Sequence, residues 1–132
     1  MSTSDVDGDA HALTRLEPLL LIAVGGFTGA ILRHVLAVEL PGAFPWGTLA
    51  ANVLGAFLLG ILLYEAHLRD LLSAETRLLV GTGFCSSLTT YSTFALETTE
   101  LEPLLATANV GGTYALGFAA ILLGQAVARW VS

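Results

Sequence analysis

Lysine is absent from this 132-residue chain; all five basic residues are arginines, Arg15, Arg33, Arg69, Arg77 and Arg129. Against eleven acids they leave a formal net charge of −6. That balance offers little basic surface with which to neutralise phosphates, so no nucleic-acid partner is expected. There is one cysteine, Cys85, so no disulfide can form within the chain and no thiolate cluster can hold a metal. His11, His34 and His67 fall in the N-terminal tail or near the ends of apolar segments, without metal-ligand spacing. No Ser/His/Asp set falls within the apolar segments either, and nothing points to an enzyme.

Charge of either sign is scarce, at 12% of residues, while 55% are hydrophobic and the mean hydropathy is +0.76. That is the composition of a membrane protein. A bilayer core of ~30 Å takes about 20 apolar residues per helix. The pattern predicts an all-α membrane protein of four spans: about 16–38, 47–66, a third segment over 76–98, and 104–131. Residues 1–14, acidic through Asp5, Asp7 and Asp9, are expected to form a disordered tail, with 15–132 as a single transmembrane domain. The tail has no basic leader and does not read as a signal peptide. Pro18 is expected in the first turn of the first span, where a missing N–H costs little. The Lys-free, acidic composition suits a high-salt cytoplasm.

The third segment is the anomaly. Inside an apolar run, Ser86-Ser87 is followed by Thr89-Thr90-Tyr91-Ser92-Thr93. In hydrocarbon every backbone polar group needs a partner, so polar irregular chain survives at membrane depth only where protein buries it or water lines it. A polar break there points to an ion or substrate path. The other spans each add a polar or small-residue stripe. Gly25, Gly29 and Arg33 recur every four residues in the first, and small residues at this spacing let helices approach closely. An Arg near a helix centre costs ~2.5–3.5 kcal/mol on insertion scales, so Arg33 is an anion attractor, an interhelical anchor or a side chain reaching the interface. Asn52 is the lone amide of the second span, suited either to an interhelical hydrogen bond or to donating N–H to an anion. Asn109, Thr113 and Gly117 form a polar-to-small track in the fourth. Tyr91 and Phe94 share a face if helical, and their ring edges are electropositive; the alternative is that they simply pack. Glu97 follows on the same side.

Three stretches together resemble the Fluc (CrcB) family of fluoride channels, over about residues 19–125. Gly25-Gly26-Phe27-Thr28-Gly29-Ala30-Ile31-Leu32-Arg33 is similar to the family's first-helix GG-x-x-GA-x-x-R. The run Pro45-Trp46-Gly47-Thr48-Leu49-Ala50-Ala51-Asn52-Val53-Leu54-Gly55-Ala56-Phe57 resembles the second-helix P-x-GT-L-x-x-N-x-x-G-x-F. Gly83 to Phe94 resembles GFCGGLTTFSTF, with Ser86-Ser87 for the paired glycines and Tyr91 for the first Phe. The resemblance implies a four-helix protomer with a broken third helix and an antiparallel dimer enclosing two fluoride pores. It implies a structural sodium ion held by the backbone carbonyls of Ser86 and Thr89. It maps the fluoride pathway to Asn52, Tyr91, Phe94, Asn109 and Thr113, and the pore approaches to Arg33 and Glu97. The implied activity is passive export of fluoride across the cell membrane.

Two other readings fit four short spans. A small proton-coupled multidrug exporter needs a carboxylate at mid-span, which the first span lacks. A non-transporting assembly subunit explains the small-residue faces but not the hydroxyl-rich break. Charge predicts orientation: with four spans Arg15, Arg69, Arg77 and Arg129 share one side, favouring an N-terminus in the cytoplasm. Such a bias leaves two partners open for an antiparallel dimer, a second copy or a related chain of opposite orientation.

Overall fold

The computed structural model describes residues 3–65 and 72–131. In order, α1 is Thr3–Glu39, α2 Trp46–Tyr64, α3 Ala74–Thr76, a π-helical segment Arg77–Cys85, α4 Ser86–Leu88, α5 Tyr91–Glu100 and α6 Pro103–Val131. No strand occurs among the described residues. Three helices, within α1, α2 and α6, are long and apolar enough to cross a membrane. The third segment is divided. Thr89 (φ −77°, ψ 150°) and Thr90 (φ −150°, ψ 125°) are extended, so α4 stops and α5 begins anew. Most of the connection between α2 and α3, with Arg69, lies outside the described residues.

Two expectations for the first span change. α1 runs back to Thr3, through the stretch expected to be disordered. Extending an existing helix is far cheaper than nucleating one, and Ala10, Ala12 and Leu13 are strong helix formers. The Thr14 hydroxyl bonds back to the carbonyls of Ala10 and His11, both at 3.0 Å. Pro18 consequently sits inside α1 rather than in its first turn. It removes one ladder bond from a helix whose 37 residues span roughly 55 Å at ~1.5 Å each, well beyond the bilayer core.

Two seams hold the bundle. Along α2 and α6, a Cβ on Gly60 would strike the Ile121 carbonyl, and one on Gly124 the Phe57 carbonyl. Along α1 and the π-helical segment, Gly25 faces the Leu79 carbonyl and Gly29 the Phe84 carbonyl at the same closeness. The first-span glycines are therefore a packing face, as small-residue stripes in membranes usually are. The outward sides of the long helices, with Leu20, Phe27, Ile31 and Leu122 exposed, are apolar surface of the kind that lipid covers.

Candidate functional site around the third-segment break

The break is held from outside by α2. Asn52 Nδ2 donates to the Thr90 carbonyl at 3.0 Å, and the Thr90 N–H donates to Asn52 Oδ1 at 2.7 Å. One side chain thus pairs both backbone polar groups of a residue that has left the helix. An unpaired N–H or C=O there would cost several kcal/mol in hydrocarbon. Of the two roles open to Asn52, the interhelical bond is present, and one of its two N–H groups has no partner among the described residues.

The α5 start is capped locally. Thr90 Oγ1 accepts from the Thr93 N–H at 3.2 Å and donates to Thr93 Oγ1 at 3.1 Å. These side-chain bonds have a consequence for the carbonyls. A continuous helix would direct the Thr90 N–H to the Ser86 carbonyl and the Thr93 N–H to the Thr89 carbonyl. Both donors are diverted, one to Asn52 and one to Thr90. The Ser86 and Thr89 carbonyl oxygens thus lose those two helical donors, and carbonyl oxygens are ligands of the kind that suits a hard cation. Ser86 itself has φ −68° and ψ −30°, an ordinary right-handed conformation, so serine takes the place of the family's glycine without backbone strain. Its hydroxyl bonds to the carbonyls of Thr82 and Gly83.

Beside the break lies a cavity of about 570 Å³ bounded by α2, the break, α5 and α6. Asn52, Ser86, Thr89, Tyr91, Phe94 and Thr113 all line it. Gly55 sets how closely α2 approaches, because a Cβ there would meet the Thr89 methyl group. Gly117, with nothing near its Cα face, widens the α6 side. Tyr91 is 73% exposed and Phe118 65%, so the cavity is an open groove on one side of the protomer. Phe94 is buried in its floor, at 7% exposure.

Asn109, expected beside these residues, does not line the groove. It is 1% exposed. Its Nδ2 donates to Thr98 Oγ1 at 2.8 Å, and Thr98 Oγ1 donates to the Phe94 carbonyl at 2.6 Å. The Thr113 hydroxyl approaches Asn109 Oδ1 at 3.5 Å, a weak hydrogen bond. Asn109 therefore ties α6 to the turn of α5 that carries Phe94. Arg33 is half-buried on α1 and Glu97 half-buried on α5; neither lines the groove. Glu97 Oε2 is buried without a hydrogen-bond partner among the described residues.

Two aromatic groove residues, Tyr114 and Phe118, escaped the sequence reading. Tyr114 lines the cavity next to Thr113, its ring edge-to-face with Phe94 at 6.2 Å and 85°. Tyr91 meets Phe94 from the other side at 5.9 Å and 49°. A signal was present in the Thr113-Tyr114 pair, a polar ring adjoining the polar track, but an isolated membrane Tyr reads as packing.

Residues 20–125 match the family model described as CrcB-like protein, Camphor Resistance (CrcB). The chain is 58% identical over 112 residues to a protein of Natronomonas pharaonis named fluoride-specific ion channel FluC 1, covering 85% of this chain and 94% of that one. It is 50% identical over 121 residues to a protein of the same name from Haloarcula marismortui, covering 92% and 93%. It is 53% identical over 109 residues to fluoride-specific ion channel FluC 2 of Halobacterium salinarum, covering 82% and 84%. With the first-helix glycine face, the second-helix Asn and the hydroxyl-rich break all inside the matched region, the chain is a multi-pass membrane protein that belongs to the CrcB family.

Proposed function

We propose that this chain is a fluoride channel of the cell membrane, not an enzyme, and that it lets cytoplasmic fluoride leave passively. The observation that carries this is its identity, over most of its length, with relatives named for that activity. The groove supports it chemically. Fluoride is small and tightly hydrated, so a path must replace its water with donors without trapping it. One Asn52 N–H, the Thr113 hydroxyl and the rings of Tyr91 and Phe94 are neutral electropositive groups along one surface. Among the described residues no Arg lines it, and binding weak enough to release is what conduction needs.

The finer reading is a protomer of four spans, the third broken at Thr89–Thr90, paired antiparallel. An open groove rimmed by Tyr91 and Phe118 is closed most simply by a second protomer. Asn52, Tyr91, Phe94 and Thr113 line the path; Asn109 supports it from beneath; Arg33 and Glu97 sit at its approaches. The diverted carbonyls of Ser86 and Thr89 suit a structural sodium ion, whose charge would offset part of the anion's desolvation cost. A proton-coupled exporter is disfavoured: Glu65 and Glu97, the buried or half-buried carboxylates of the spans, lie near helix ends.

Reconstituted protein should release fluoride but not chloride from loaded liposomes; equal rates for the two anions would sink the reading. The arginine bias further predicts that the chain inserts mainly N-terminus-in, beside a copy or a related chain of opposite orientation. Cysteine labelling at an N-terminal tag from one face alone is expected. Equal labelling from both faces, with flux from this chain expressed by itself, would establish a dual-topology homodimer.

A further inference from the structure

The groove holds two phenols, and they flank one ring. Phe94, 7% exposed, lies between Tyr91 and Tyr114, which are 73% and 51% exposed. Both tyrosines line the cavity, and neither hydroxyl has a hydrogen-bond partner among the described residues. Tyr114 is only half-covered and opens on the groove, so its O–H is free to donate to whatever enters, whereas Tyr91 offers the groove its ring. The hydroxyls already committed make the contrast: Thr90 is bonded to Thr93, and Thr98 to the Phe94 carbonyl.

We infer that Tyr114 is an anion-contacting residue of the pathway, giving the α6 wall a neutral O–H donor opposite Tyr91. Its second contribution is to the ring between them. The perpendicular contact at 85° fixes the plane of Phe94, so that its edge keeps one direction along the groove. Strong O–H donors discriminate by charge density. A small hard anion gains most from a short O–H contact, and a larger halide gains less, so Tyr114 serves selectivity as well as passage. Thr113, one residue earlier, has its hydroxyl loosely held by Asn109 at 3.5 Å, which places two α6 hydroxyls in succession at this level.

The inference rests on the fluoride-conducting reading, and the test separates the two. Full-length protein is reconstituted in liposomes loaded with potassium fluoride, and efflux is followed with a fluoride electrode. Wild type, Tyr114→Phe and Tyr114→His are compared, each first checked for wild-type elution on size exclusion. The Phe variant keeps the ring and loses the donor; the His variant keeps a ring with an N–H donor. Loss of one hydrogen bond to an ion predicts that Tyr114→Phe conducts about tenfold more slowly, with Tyr114→His closer to wild type. Wild-type flux in Tyr114→Phe would overturn the inference while leaving the channel reading intact. Should the Phe variant fail to elute as wild type, the His variant decides: flux near wild type supports the donor role, and a normally eluting variant with flux lower by tenfold overturns it. Wild-type protein that releases no fluoride would overturn the channel reading and the Tyr114 role together.

Discussion

The two halves of the third segment are held by different physics. Before the break, the π-helical segment lies against α1 at backbone distance, with Gly25 and Gly29 admitting the carbonyls of Leu79 and Phe84. Beyond it, α5 touches its neighbours sparsely and is fixed by two amides, Asn52 on Thr90 and Asn109 on Thr98. Close packing fills space; a hydrogen bond fixes position while leaving space beside it. The groove lies on the amide-held side. In this bundle, the segment beside the groove is positioned by polar side chains, and the segment before the break is packed at glycines.

That contrast predicts effects of different kind and size. Gly25→Leu should do the most damage, because its Cβ would collide with backbone rather than with a side chain that can turn aside. Overpacking of this sort costs about 1–3 kcal/mol or more, so the variant should lose the wild-type elution profile and unfold at lower temperature. A Gly25→Leu protein with unchanged thermal stability would remove the glycine seam from the account. Asn52→Ala comes next. It strands the Thr90 N–H and C=O at a cost of about 1–3 kcal/mol for each buried group, and should abolish flux while the assembly persists. Asn52→Asp, which keeps the acceptor for the Thr90 N–H but loses the donor to its carbonyl, is expected to be equally defective in flux. Normal flux in both would return Asn52 to a packing role. Tyr91→Phe should have the smallest effect, since the ring remains to meet Phe94 and the groove; a dead variant would show that its hydroxyl acts directly.

What could be read from the sequence was what membranes penalise. Hydroxyls in an apolar run, one amide in a span and glycines every four residues are anomalous in hydrocarbon, and the structure gives the amide and the glycines specific partners. Other features leave no such mark. The start of α1 at Thr3 follows from propagation of a helix already formed, and Pro18 shows that the ladder runs past a residue expected to begin it. The π-helical register of Arg77–Cys85 is a backbone hydrogen-bond property to which side-chain periodicity is nearly blind. Asn109 shared a stripe with Thr113, but a stripe cannot tell the groove from the layer beneath it. The contact of Tyr114 with Phe94 depends on how α5 leans on α6, and that is set by bonds from Asn109 and Thr98 distant in sequence.

In the proposed channel, fluoride passes along the groove whose floor is Phe94. Fluoride-electrode recordings of efflux from liposomes, wild type against Phe94→Ala at equal incorporation and with identical elution on size exclusion, test it most directly. Rapid efflux is expected from the wild type and little or none from Phe94→Ala. Equal efflux from the two would contradict this path and move the pathway elsewhere in the protein.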